Sequence, residues 1–441
     1  MAKYPNEIYE PRPKENRSGV TYDPNKKTVI FVEDIKALDD EVKAIETELG
    51  TNPRGNFDSV KAFLQYLLGK VKDYFTDLLD VPHSYQGQAG KVLKVKQTED
   101  GLEFGEAGGG RRTATKIVAA NDSLDKTMAD YVCDGTADQE EINAAINALP
   151  TFGGRVLLLE GTYNISSPIT ILKNNVTLEG QGAGTKLFLV NGANCNVIQV
   201  GNGSIALEGI RIANLRIDGN KANQTKTVYG ILFYGASGYL ITKSIIENCI
   251  VENCYDCGIF LYYSNNNTIT GNQANSNSSN GIRLDLSNNN TITGNQVDSN
   301  EEEGMSFNSS HNNTVTGNQV NSNGLDGISF EYSNNNTITG NQANSNTNPG
   351  IYLNSSHNNT VIGNQVNSNN YDGIRLYSAS YNTIIGNRCS GNAIYGINIA
   401  TSDCNNNLVV KNYLTRNTTG SLKDAGTGTI KAASTTNDNV V

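Results

Sequence analysis

Of the seven carboxylates between residues 285 and 331, five, Asp285, Glu302, Glu303, Asp326 and Glu331, stand at intervals that a regular fold would bring together. Two carboxyl groups roughly 5–9.5 Å apart are what glycoside hydrolysis requires, one as acid and one as nucleophile or base. An oxygen-rich grouping of this kind also suits Ca²⁺, although neither a metal nor another cofactor is expected. The block 251–400 carries ten acids against Arg283, Arg375 and Arg388, and no lysine stands between Lys243 and Lys411. A polysaccharide lyase needs a cation beside its acids to stabilise enolate charge; Arg283 and Arg375 lie four repeats apart, so lyase chemistry is disfavoured. The competing reading is that these acids occupy turns and outward strand positions and simply keep the surface solvated. Tyr262, Tyr332, Tyr352 and Tyr377, with Arg283 and Arg375, form the expected glycan-binding set, because tyrosine rings stack on sugars while their hydroxyls hydrogen-bond. Tyr263, Phe330, Tyr371 and Tyr381 are expected to share that outward orientation, or to make contacts between chains.

What must position these groups is a repeat. Glycine followed by an apolar residue recurs at Gly258, Gly281, Gly304, Gly327, Gly350, Gly373 and Gly396, always 23 residues on. A second glycine keeps the step at Gly271, Gly294, Gly317, Gly340, Gly363 and Gly386. The consensus NNTITGNQ(A/V)NSN is poor in helix formers and alternates apolar residues with period two. Four apolar columns result, headed by Ile259, Leu261, Ile269 and Ala274. Short strands with like side chains stacked rung on rung describe an all-β solenoid, a right-handed parallel β-helix of about eleven rungs. Two asparagine columns, starting at Asn272 and Asn277, are expected to form ladders along the axis and to hold the left-handed corners.

Aligning rungs by their glycine puts Glu303, Asp326 and Asp372 in one column just before the Gly-Ile strand, with Asp285 and Glu331 four residues after the glycine, two rungs apart. Other chemistry is weaker. Cys254 and Cys257 have no matching second pair, and seven cysteines do not make a disulfide scaffold. His311 and His357 stand two rungs apart, too far to share a metal; His83 has no partner. The net charge of −10 argues against nucleic acid, and no apolar run reaches a membrane span. No secretory leader is visible in residues 1–19.

The segment DGTADQEEINAAINALP (134–150) reads as a capping helix with Asp138 and Glu141 as a capping box, burying Ile142, Ala145, Ile146 and Leu149. With GGRVLLLEGTY (153–163) it resembles the entrance of the pectate-lyase-like right-handed β-helix superfamily, and the repeats are similar to its carbohydrate-binding and sugar-hydrolase type. Upstream, Ile35–Leu49 and Val60–Leu78 carry heptad seams. Residues 30–106, including AIETELGTNPRGNFDSVKAFL and DVPHSYQGQAGKVLKVKQTEDGLEF, resemble segments of bacteriophage tail-fibre and related virion proteins. That resemblance implies a homotrimer attached by its N-terminus to a phage tail or baseplate, acting outside the cell on a host surface glycan. The expected organisation is an attachment segment (1–30), a helical coiled-coil-like stem (31–80), a small β adaptor with a Gly hinge (81–112), the β-helix (113–416) and a C-terminal tail or clasp (417–441). Three functions remain open: polysaccharide binding, polysaccharide hydrolysis by a tailspike depolymerase, and a free secreted glycan-binding or glycan-degrading protein. The unbroken period favours binding, since an active spike is expected to interrupt its repeats with groove-shaping loops.

Overall fold

A computed structural model describes residues 114–431, the strands Lys91–Val95 and Leu102–Glu106, and helical positions 40, 43, 62 and 64–66. The attachment segment, the heptad seams apart from those positions, the Gly hinge and residues 432–441 lie outside the described residues. The chain divides into two compact units, Met1–Arg111 and Arg112–Val441. In the first, Lys91–Val95 and Leu102–Glu106 form an antiparallel pair, Lys91 opposite Glu106.

The second unit is a parallel β-helix. Each turn of chain contributes to three faces. The Gly-Ile (GI) face runs through eleven strands from Ile169–Ile171 to Gly420–Asp424. The Thr-Ile-Thr (TIT) face runs through thirteen, from Tyr131–Val132 to Leu408–Val410. The third, the NQ face, has five strands from Gly161–Ile165 to Gln273–Asn275 and then continues as single bridges from Gln273 through Gln296, Gln319, Gln342 and Gln365 to Arg388. The 23-residue step sets the register: Ile282, Met305, Ile328, Ile351, Ile374 and Ile397 are successive Cα partners, and each is fully buried. All four apolar columns face inward. Each buried aliphatic side chain contributes about 1.5–3 kcal/mol, so the core is a continuous stack along the axis.

The corners are held by polar ladders. Asn272, Asn295, Asn318, Asn341, Asn364 and Asn387 are buried; each accepts at Oδ1 from the backbone N–H of the preceding rung, as Asn318 does from Asn295 N–H at 2.9 Å. Its Nδ2 donates onward to the next amide, 2.9 Å for Asn318 to Asn341, and back to a carbonyl, 3.0 Å to Ile292. The Asn277 column does the same. Two further ladders were not expected: Asn267 through Asn407 and the hydroxyls of Ser264, Ser287, Ser310, Ser333 and Ser356. The left-handed conformation falls not on the ladder asparagines but on the residue before each: Gly294 (φ 62°), Ser299 (φ 60°), Asn289 (φ 58°) and Leu286 (φ 51°).

The two glycine series therefore differ. A Cβ at Gly281 would meet Val297 Cγ1, with Asn300 Nδ2 at 2.7 Å and Ala274 O at 2.9 Å. At Gly294 it would meet nothing within 4 Å, and only the positive φ objects. Gly281→Ala is expected to cost about 1–3 kcal/mol from overpacking; Gly294→Ala is expected to cost about 1 kcal/mol from left-handed strain. Denaturant midpoints of the two variants check the order.

At the N-terminal end the helix Gln139–Asn147 lays Ile142, Ala145 and Ile146 on the first rungs, and Leu149 follows them into the core. The capping box does not form. Asp138 makes no side-chain cap bond; its carboxylate instead accepts from Gly135 N at 2.8 Å and Asn164 N at 2.7 Å, tying the loop to the first rung. At the other end, Gly420–Asp424 pairs with Tyr395–Ile399 and Thr427 and Ile430 bridge Asn405 and Leu408, so the chain up to Lys431 adds one more partial turn.

Candidate functional site

Three columns of side chains lie along the outward side of the GI face, the first of them largely buried. The first lies just before each glycine: Asn280, Glu303, Asp326, Pro349, Asp372 and Tyr395, held in register by bonds such as Gly304 N to Asp326 O at 3.0 Å and Gly350 N to Asp372 O at 3.2 Å. The second is Phe260, Arg283, Ser306, Ser329, Tyr352, Arg375 and Asn398, successive Cα partners. The third is Tyr262, Asp285, Asn308, Glu331, Asn354 and Tyr377. Both strand columns project outward because their parity is opposite to that of the buried Ile and Leu columns.

Glu303 and Asp326 occupy adjacent rungs, with backbones one strand spacing, about 4.8 Å, apart. Glu303 Oε2 accepts from Asn280 Nδ2 at 2.7 Å. Asp326 is only 6% exposed, and its Oδ1 is buried without a hydrogen-bond partner. Burial first, then the Glu303 carboxylate, push the Asp326 acid up to about 7, against a hydrogen bond from Ser329 and the Arg375 charge, which act the other way. Near neutral pH this carboxyl therefore exchanges its proton, as a general acid must. Glu303→Gln removes the second cause, and the Asp326 titration, followed by carboxyl NMR, is expected to move down toward the ordinary carboxylate range; an unmoved titration would mean that the two groups do not sense each other.

The remaining expected residues are distributed around this pair. Asp285 is held by Arg283, Nη2 to Oδ2 at 2.8 Å, and the guanidinium lies 5.2 Å from the Phe260 ring centre. Glu331 shares the third column with Asp285, with Asn308 between them; it is exposed and accepts weakly from Asn354 at 3.4 Å. Glu302 is exposed on the preceding turn, where Ser279 Oγ donates to it. Arg375 binds Asp372 at 3.0 Å and stacks on Tyr371, 5.1 Å to the ring centre. Tyr352 is half-buried beside Arg375. Tyr262 stacks on Tyr234 at 5.9 Å and meets Tyr263 edge-on at 4.8 Å. Tyr377 is exposed on the third column, whereas Tyr332 sits past the strand end in a left-handed corner. Phe330 is corrected: it is fully buried and stacks on Phe307 at 4.4 Å. Sequence reasoning passed over Phe260, Tyr229, Ser329 and Asn398, although the same glycine register places three of them in the second column.

Metal ligation finds little support. Among the described residues, the one grouping of three or more His, Cys, Asp and Glu donors compact enough to share an ion is Cys133, Asp138 and Glu141 at the N-terminal cap. Burial drives the Cys133 thiol far above its usual range, and Asp138 is spent on backbone amides. His311 and His357 turn Nδ1 into an outer ladder, accepting from Asn334 N at 3.0 Å and Ser380 N at 3.1 Å. The cysteines are all free; Cys249, Cys254, Cys257 and Cys389 are core residues.

A family model described as "NosD: Periplasmic copper-binding protein (NosD)" matches residues 165–326 and 298–437. Copper wants thiolate, thioether or imidazole donors converging on one point, and the described residues of this chain do not provide such a set. No curated protein matches the chain. Among solved structures, the A-module of mannuronan C-5 epimerase AlgE6 from Azotobacter vinelandii is 20% identical over 68% of this chain and 97% of that one, with a TM-score of 0.57. The Dettilon tailspike protein gp208 is 17% identical over 70% and 68%, TM-score 0.55, and ORF18 of Geobacillus virus E2 is 17% identical over 79% and 67%, TM-score 0.50. At these identities the likeness is one of fold. The matched span covers more than half of the chain, and the chain belongs to the NosD family.

Proposed function

We propose that this protein binds a polysaccharide on the outer GI face. The observation that carries this is the strip of half-buried and exposed side chains along the GI strands, from Tyr262 past Arg283, Glu303, Glu331 and Tyr352 to Arg375 and Tyr377, with Phe260, Asp326 and Asn398 buried beneath it. It offers rings for stacking and fixed amide, hydroxyl and carboxylate groups for sugar hydroxyls. On this reading the chain is a tail-fibre or tailspike-like protein, homotrimeric, joined through its N-terminus to a phage tail or baseplate, and it meets the host glycan outside the cell. The resemblance of residues 30–106 to virion proteins supports attachment, and a solenoid shared with a tailspike protein and a viral ORF product is consistent with it. Among the described residues no helix is long and apolar enough to cross a membrane.

A second reading, hydrolysis of the same glycan, is favoured by one observation: a buried acid that titrates near 7 beside a second carboxylate. Asp326 would protonate the leaving oxygen and Glu303 would act as nucleophile or base. Gel filtration of surface polysaccharide incubated with the protein separates the readings. Binding predicts co-elution with unchanged glycan length, weakened about tenfold in Tyr352→Ala, the scale of one lost stacking contact. Shortened chains that disappear in Asp326→Asn would establish the hydrolase, and no co-elution with any polysaccharide would remove both.

A further inference from the structure

The charges on the GI face decide which class of glycan it accepts. The two arginines of this face are already paired, Arg283 with Asp285 at 2.8 Å and Arg375 with Asp372 at 3.0 Å. In the adjoining C-terminal segment Lys431 is paired with Asp424 at 2.6 Å. Among the described residues Lys423 has no carboxylate within ion-pair distance; it lies over the Tyr395 ring at 5.8 Å, on the last strand, five rungs beyond Glu303. By contrast Glu302, Glu303 and Glu331 have no Lys or Arg within ion-pair distance among the described residues; their partners are Ser279, Asn280 and Asn354. The Glu301 carboxylate beside them is met by Lys221 at 2.8 Å. Between the Arg283 and Arg375 rungs the face thus presents unpaired negative charge and no free cation, together with amides and hydroxyls (Asn280, Ser306, Asn308, Ser329 and Asn354).

We infer that the site takes a glycan without carboxylate, phosphate or sulfate groups, and that acidic polysaccharides are excluded by like charge. This rests on the glycan-binding reading of the same face. An anionic sugar over the central rungs would have to lie near Glu303 and Glu331 with no counter-charge, and like-charge juxtaposition is how interfaces reject wrong partners. Deprotonation of Asp326 adds to the exclusion above neutral pH, where its neighbours are Glu303, Ser329, Tyr352 and Arg375. A neutral ring meets none of this. Its apolar faces suit Tyr262, Tyr352 and Tyr377, and its hydroxyls can both donate to the free carboxylates and accept from the amides.

The test is a printed array of bacterial surface polysaccharides with neutral, amino-sugar and acidic repeat units, probed with the full-length protein and with Glu303→Gln/Glu331→Gln at low and physiological salt. The inference expects the wild-type protein to bind repeat units without acidic groups at least about tenfold better than acidic ones, with the gap narrowing as salt screens it. The double variant, which keeps hydrogen-bonding side chains at both positions, is expected to gain binding to acidic glycans. Wild-type signal concentrated on acidic repeat units, or a double variant whose preference is unchanged, would overturn the charge assignment while leaving glycan binding in place. An array silent for both proteins would instead strike at glycan binding itself, and the assignment would fall with it.

Discussion

Asn318→Leu is expected to destabilise the solenoid by about 4 kcal/mol or more. The leucine is of similar size, so the cost is not a cavity. It is the stranding of the groups that Asn318 serves: Asn295 N–H and Nδ2, which donate to its Oδ1 at 2.9 and 3.0 Å, and the Ile292 carbonyl and Asn341 Oδ1, which accept from its Nδ2 at 3.0 and 2.9 Å. Each buried group left without a partner costs about 1–3 kcal/mol. Thr316→Ala, on the outward side of the TIT face nearby, is expected to stay within about 0.5 kcal/mol. Guanidinium unfolding of the two variants checks the contrast. Asn318→Asp is expected to be no milder than Asn318→Leu at neutral pH, because its buried carboxylate would face the Ile292 carbonyl and Asn341 Oδ1. Equal midpoints for Asn318→Leu and Thr316→Ala would mean that the ladders do not hold the corners.

Asp326→Asn is expected to stabilise the protein, and only at higher pH. The folded acid titrates at about 7 against an ordinary value of 3.8, so between those values the folded chain keeps a proton that the unfolded chain has lost. Wild-type stability is therefore fully present below about pH 4 and falls as pH rises toward 7. Above that, the native state carries a desolvated carboxylate beside Glu303. Asparagine never ionises, so the variant lacks this slope. Its advantage over wild type should be near zero at pH 4, grow to pH 7, and level off on the order of 4 kcal/mol at pH 8. Thermal unfolding across pH 4–8 measures it. Parallel wild-type and variant curves would show that Asp326 is solvated and ordinary.

The fold was legible because the 23-residue step repeats one environment: once Ile282 faces inward, so must Ile328 and Ile374. The same register put Glu303 beside Asp326 before any coordinates. What it could not carry was depth. Asp326 and Glu303 hold equivalent positions, yet one is buried with an unmatched oxygen and the other is half-buried and bonded to Asn280, a difference that a repeat period does not encode. Parity, applied strictly, would have kept Phe330 inside with Leu284 and Phe307. Tyr332 is exposed as expected, but it lies beyond the alternation, at the corner where the strand has ended and the chain turns left-handed. The Asp138 capping box was a local pattern overridden by a longer-range need, the anchoring of Gly135 and Asn164.

The central claim, that the GI face is the glycan surface, is tested most directly by hydrogen–deuterium exchange of the full-length protein with and without a bound polysaccharide. Protection concentrated in the Gly-Ile strands from Ile259–Tyr262 to Tyr395–Ile399 and in the turns that carry Glu303 and Asp326, with the TIT strands unchanged, is the predicted result. Protection on the TIT face, or exchange unaltered by a glycan that demonstrably binds, would contradict it.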